Sequence, residues 1–355
     1  MKKVFKTLLL LVAAVLLLVG CKQQATPKPA TLLDQPYSNT EYLMGTVVTI
    51  RVYDKGKESA LDDAFKRISQ LADEITVNEK GSEIDAVNAQ AGVKPVKVTP
   101  SIYKLIEYAK YFSDNSDGAF DLAIGPITSL WHIGFPDARK PSQSEIDARL
   151  PLVNYKNVEL NQADQTVYLK QKGMQLDLGG IAKGFITDEV VKVLKKDQVS
   201  TAIIDLGGNL YVLGHSPKHT NANWTVGIQD PKESRGVALG TVPAANKTIV
   251  TSGIYERYLK VGNKTYMHLM NPKTGYPFDN NLMGVSIITD KSVDGDALST
   301  ATFDKGLKDG LAYIEKRPHT EAIFITKDYK VYTTSGLKDT FKLVKGTKYK
   351  LATLQ

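Results

Sequence analysis

The chain has a single cysteine, Cys21, so no disulfide can form within it, whatever the redox state of its surroundings. It also lacks a clustered basic stripe. Basic residues exceed acidic ones by a formal +7, but they are scattered and not interleaved with aromatics, which argues against a nucleic-acid partner. Histidine is scarce. Of five, only His215 and His219 are close, and Pro217 between them prevents the shared helix face that a zinc hydrolase needs. No G-x-S-x-G stretch offers a serine-esterase elbow. Neither a Walker loop nor G-x-G-x-x-G occurs, since Gly184 stands between Lys183 and Phe185, so the standard nucleotide-binding readings are excluded.

The N-terminus departs from the otherwise ordinary globular composition. Lys2, Lys3 and Lys6 precede an unbroken apolar stretch from Leu8 to Gly20, shorter than the ~20 residues of a bilayer span, which predicts a secretory signal. The stretch ends Leu18-Val19-Gly20-Cys21 and resembles a bacterial lipobox. That resemblance implies lipidation of Cys21 and an anchor on the extracytoplasmic face of the cell membrane. An unlipidated signal peptide is the alternative. Without the three leading lysines the formal charge falls from +7 to +4.

Three segments follow. Residues 1–20 are the signal, 21–36 are the lipidated cysteine with a polar, proline-containing tether, and 37–355 form the folded part. Within it, Tyr42 to Tyr53 reads as one alternating strand and Ser59 to Thr76 as an amphipathic helix. Thr99-Pro100 opens a second helix, and two short strands flank a polar turn at Asn161 to Asp164. Strands dominate thereafter, at Met174–Leu178, Thr201–Leu206, Leu210–Leu213, Trp224–Ile228, Ile249–Thr251, Met283–Thr289, Ala322–Thr326 and Lys330–Thr333. Helices interrupt them at about Ile181–Lys196 and Gly295–Lys316. The class is α+β: mixed sheets covered by helices, in a single two-lobed catalytic unit.

Five stretches carry candidate chemistry. Asp177-Leu178-Gly179-Gly180 and Asp205-Leu206-Gly207-Gly208 each follow an apolar segment, and a glycine pair lets backbone N–H groups approach a ligand. The first pair opens a helix whose N-terminus favours phosphate; two ligand-free tight turns are the alternative. Thr251 to Arg257, TSGIYER, gathers hydroxyls, a glycine and an arginine. His268 precedes the turn Pro272-Lys273-Thr274-Gly275 and is either structural or catalytic. In Asp294 to Thr300, DGDALST, Asp296 and Thr300 lie one helical turn apart and share a face. Oxygen donors of this kind suit a hard cation such as Mg²⁺, while Asp294 or Asp296 capping the helix is the other reading.

In order, Met44-Gly45-Thr46, Ser82-Glu83-Ile84 with Asn88, Asp117-Gly118-Ala119-Phe120-Asp121, DLGGIAKG, IDLGGN, TSGIYER, His268 with NPKTGYP, and DALST together resemble the ApbE family of flavin transferases. The resemblance covers about Tyr42 to Gly306. It implies a fold related to tunnelling folds, and Mg²⁺-dependent transfer of FMN from FAD to a Ser or Thr hydroxyl of an extracytoplasmic acceptor protein, with AMP leaving. It further implies a metal on Asp296, Thr300 and the carbonyl of Gly180. FAD contacts are implied at Met44, Asn78, Ala119, Phe120, Asp121, Asp177, Lys183, His268 and Leu269. His268, as base or phosphate ligand, and Asp296 are the implied catalytic residues. Asn78 stands where the family often has an aromatic, and Lys183 where some members carry Glu. A metal-dependent FAD pyrophosphatase and a non-enzymatic FAD-binding lipoprotein are the competing readings of the same residues.

Overall fold

The computed structural model describes residues 31–77, 80–219, 221–255 and 257–354. The lipobox cysteine, Cys21, and the anticipated flavin contact Asn78 lie outside the described residues. No helix among the described residues is long and apolar enough to cross a membrane.

A nine-stranded sheet organises the fold. Its strands are β1 (Leu32–Leu43), β2 (Thr46–Asp54), β6 (Ala202–Leu206), β7 (Asn209–Leu213), β10 (Lys247–Gly253), β13 (Leu282–Thr289), β14 (Glu321–Thr326), β15 (Lys330–Thr333) and β17 (Lys350–Leu351), in that spatial order. Every pairing is antiparallel except β15 with β17, so the sheet is mixed. β13 is buried at every position because both faces of the sheet are covered. Ile287 joins the core on one face and Ile288 the core on the other, as the two-residue period of a strand requires.

The helical face carries the larger core. Helix α1 (Ala60–Ile75) presents Leu61, Ala64, Phe65, Ile68 and Leu71 to it, and α6 (Ala182–Lys196) and α7 (Ser292–Glu315) pack alongside. Each such fully buried Leu, Ile or Phe contributes about 1.5–3 kcal/mol, so this face anchors the helices that bear the site. The opposite face is closed by a second sheet, β8 (Trp224–Gln229), β9 (Ala238–Ala244) and β16 (Lys342–Leu343), with Trp224, Val226, Ile228 and Leu239 against Ile249, Ile323 and Ile325. A small sheet of β3 (Val96–Lys97), β4 (Val158–Asn161) and β5 (Thr166–Leu169) lies with α2 (Glu83–Ala89) and α3 (Pro100–Asn115). Helices α4 (Gly125–Trp131) and α5 (Gln143–Arg149) and the hairpin β11 (Tyr258–Val261) and β12 (Lys264–Met267) enclose a satellite cluster around Trp131. The α+β class is thus observed.

Several expectations are corrected. The continuous strand from Tyr42 to Tyr53 is two strands, because Met44 and Gly45 take φ of 52° and 68° and reverse the chain in a tight hairpin with Leu43 opposite Thr46. Folded chain also begins earlier than Tyr37, since β1 starts at Leu32. Met174–Leu178 is no strand: the side chain of Asn88 takes the backbone of Leu176 at both groups, Leu176 N to Oδ1 at 2.7 Å and Nδ2 to Leu176 O at 3.1 Å. An amide side chain here replaces a ladder. Helix α7 begins at Ser292 rather than Gly295 and is broken at Gly306, whose φ of 72° is not helical.

Candidate functional site

The strand ends on one side of the large sheet carry the loops that matter. The β1–β2 turn at Met44–Gly45, the β6–β7 turn at Gly207–Gly208 and the exit of β10 at Gly253 all fall on this side by strand register. Both glycines of the second turn have positive φ, and a side-chain carbon on Gly207 would lie 2.1 Å from Thr46 Oγ1. The second DLGG is therefore a hairpin turn. The first is different, because it leads into α6.

Helix α7 is docked on β10 by hydroxyls. Thr248 Oγ1 donates to Ser292 Oγ at 3.1 Å, and Ser252 and Ser299 Oγ atoms lie 2.7 Å apart. Between them Gly295 sits where a side-chain carbon would meet Val250 at 2.8 Å. Neither Asp294 nor Asp296 caps the helix, contrary to that alternative. Asp188 of α6 does, accepting from Ser292 N at 2.8 Å and Val293 N at 3.0 Å. Asp296 is thereby released for another task.

Asp296 is buried, at 3% exposure, and its Oδ2 accepts from Gly184 N of α6 at 2.8 Å; Oδ1 makes no hydrogen bond among the described residues. Gly184 permits that contact: a side-chain carbon there would lie 2.2 Å from Ser292 O. One turn along α7, Thr300 faces Gly180, where a side-chain carbon would stand 3.1 Å from Thr300 Oγ1 and 3.3 Å from the Phe120 ring. The glycine thus leaves a cradle beside the hydroxyl. A carboxylate and a hydroxyl from α7 face the Gly180 backbone in the turn before α6, a donor set that fits a hard oxygen-seeking cation. No group of three or more His, Cys, Asp or Glu able to hold a metal occurs among the described residues, which excludes a carboxylate cage or zinc cluster there, not this mixed set.

Around this pair the chain builds a polar wall. Asp177 Oδ1 accepts from Gly179 N at 2.8 Å, tightening the turn before α6, and Asp177 N donates to Leu122 O, joining that turn to the Ala119–Asp121 segment. Asp121 itself is committed to structure. Its Oδ1 takes Ala123 N and its Oδ2 takes Tyr155 N, and burial raises its pKa to about 6 against those hydrogen bonds. Its carboxylate shapes the loop, leaving Phe120, with its ring at Gly180, as the member of that segment turned to the cradle. Lys183, in the first turn of α6, makes no salt bridge among the described residues.

His268 lies at the end of β12, partly buried, with Nδ1 3.2 Å from Arg257 O. A carbonyl only accepts, so Nδ1 carries the proton and Nε2 holds the lone pair. Burial pulls its pKa down to about 4, the Arg257 carbonyl opposes this, and the charges of Lys183 and Arg257 add to the lowering. Leu269 is buried and bonds through its carbonyl to Phe278 N. Met44, at the hairpin tip, packs against the main core. The structure thus sets Thr300 against Gly180, with Asp296 one turn away on α7 and Phe120 touching the cradle; Asp177 tightens the turn that leads into α6, Lys183 lies in its first turn, and His268 feels the charge of Lys183. Three contributors stood inside the quoted motifs without a role assigned to them: Gly184, Asn88 and Arg257. Only TSGIYER, with its arginine beside a glycine turn, carried a signal for the last.

The profile of the ApbE family matches residues 44–324. The chain belongs to the ApbE family. An ApbE relative from Klebsiella pneumoniae, named FAD:protein FMN transferase, is 38% identical over 84% of this chain and 92% of its own. Another of that name, from Treponema pallidum, is 36% identical over 87% of this chain and 89% of its own. The crystal structure of the ApbE protein of Thermotoga maritima superposes with a TM-score of 0.78 at 28% identity, covering 86% of this chain and 98% of that one. The ApbE flavin transferase of Vibrio cholerae, at 23% identity and a TM-score of 0.75, shares the fold.

Proposed function

We propose that this chain is a Mg²⁺-dependent FAD:protein FMN transferase that esterifies a Ser or Thr hydroxyl of an acceptor protein with FMN and releases AMP. The observation that carries the reading is the mixed oxygen set of Asp296, Thr300 and Gly180, built where α7 crosses the start of α6, whose Lys183 has no salt bridge among the described residues. Mg²⁺, held by those residues, would neutralise the diphosphate of FAD and stabilise charge on the departing phosphate.

The protein's own groups account for the remaining needs. Lys183, in the first turn of α6, attracts and orients the diphosphate. The acceptor oxygen attacks the phosphorus of the FMN half, the bridging P–O bond breaks, and AMP leaves with the electron pair. His268 Nε2 takes the hydroxyl proton, since Nδ1 is already bonded to Arg257 O. A pKa near 4 is low for a base, but an anionic diphosphate beside Lys183 and Arg257 offsets their pull and raises it in the complex.

The test is mass spectrometry of an acceptor domain after incubation with the full chain, FAD and Mg²⁺, with EDTA as control. A metal-dependent gain of one FMN is expected. Free FMN and AMP without acceptor labelling would replace the reading by a pyrophosphatase, and intact FAD throughout by a carrier protein. We also infer that Cys21 anchors the chain to the membrane face where its acceptors are displayed. Cys21→Ala should abolish labelling by palmitate and release the protein from the membrane fraction; unchanged labelling would rule this out.

A further inference from the structure

We propose that Arg257 is a positioning residue of this site: it locks the Met44–Gly45 turn onto the strand pair that ends in His268. The inference rests on the transferase reading only in its kinetic arm. Arg257 Nη2 donates to Gly45 O at 3.0 Å, while its own carbonyl accepts from both His268 N and His268 Nδ1 at 3.2 Å. The turn over the site and the imidazole are therefore fastened to one residue, from opposite ends.

Its route is built for it. A side-chain carbon on Gly45 would lie 2.9 Å from Nη2, and one on Gly134 would lie 2.9 Å from Cδ. Both glycines have positive φ, 68° and 100°, and any larger residue at either would displace the guanidinium. No carboxylate pairs with Arg257 among the described residues. Two charged groups act on His268, Lys183 from the first turn of α6 and Arg257 from the segment before β11, and both disfavour the imidazolium.

The experiment compares wild type, R257M and R257K. The methionine keeps an unbranched apolar stem between the two glycines, and the lysine restores a cation able to reach Gly45 O. Three readings are taken: FAD affinity by flavin fluorescence, the His268 titration by NMR, and the pH profile of FMN transfer. R257M is expected to weaken FAD binding about tenfold, the scale of one hydrogen bond from a charged group. Its His268 should titrate at higher pH than in wild type, moving the acid limb of the rate profile the same way. R257K should recover most of both. If R257M binds FAD as wild type does, or His268 titrates unmoved, the proposal is overturned. Should R257M not fold, R257Q, uncharged but polar, replaces it with the same expectations. If wild type transfers no FMN, the transferase reading fails, and the binding and NMR arms still decide the role of Arg257.

Discussion

Asp296 does two things that one substitution separates. Its Oδ2 receives Gly184 N, a structural bond between helices, and its charge would hold the cation. Asn at 296 keeps a carbonyl oxygen for Gly184 but loses the charge. Asp296→Asn should therefore leave the unfolding midpoint within the effect of about 1 kcal/mol, while FMN transfer falls about a hundredfold or more and no longer responds to Mg²⁺. A variant that transfers FMN at the wild-type rate would remove Asp296 from the metal. His268 makes an independent residue-level prediction. Its folded pKa, about 4, lies below the unfolded value near 6.5, so the folded state binds fewer protons between them. Stability from this group is complete above about 6.5 and is lost as pH falls toward 4. As the proposed base, the imidazole must be neutral. The acid limb of kcat/KM should sit near the free-enzyme pKa, and that of kcat at higher pH, because bound diphosphate raises it. Coincident limbs would mean the histidine does not face the anion.

At the scale of elements, the site depends on how closely α6 and α7 cross. Gly184 is the contact point, and Gly184→Ala would press a carbon against Ser292 O, a backbone atom that cannot swing away. Overpacking of this kind costs about 1–3 kcal/mol, so the midpoint should drop and Mg²⁺-dependent activity should drop with it as Asp296 loses its donor. Full activity with a lowered midpoint would separate packing from catalysis. The helices themselves were readable because Leu61, Ala64, Phe65, Ile68 and Leu71 repeat at helical spacing, and the face shared by Asp296 and Thr300 follows from the same period. Their crossing was not, because Gly184 and Asp296 are distant in sequence and a glycine announces no partner. Strand β9 was missed since ALGTVPA has small residues and a proline in place of a β-branched run. Met174–Leu178 misled in the opposite direction: its apolar pattern suits a strand, but Asn88 supplies the hydrogen bonds. The resemblance implied Asp121 as a flavin contact, and nothing local reveals that its oxygens take Ala123 N and Tyr155 N.

Over the whole molecule, the candidate site residues come from distant parts of the chain: Met44 from the first hairpin, Gly180 from the middle, and Asp296 and Thr300 from the last long helix. None of these segments forms a site alone. A diphosphate lying between the α6 N-terminus and a cation on α7 would bridge two helices already joined by Asp188 at Ser292 and by Gly184 at Asp296. Ligands that share such a bridge stabilise the fold by mass action, about 2.7 kcal/mol at a hundredfold excess over Kd, and each should improve the other's binding. Thermal unfolding with Mg²⁺ alone, FAD alone and both together should then give a combined shift larger than the sum. Asp296→Asn should erase the excess while leaving the shift with FAD alone, because Met44, Phe120 and Lys183 are untouched. A combined shift equal to the sum in wild type would mean that metal and flavin bind apart, and the oxygen set at Gly180 and Thr300 would lose its assignment to catalysis.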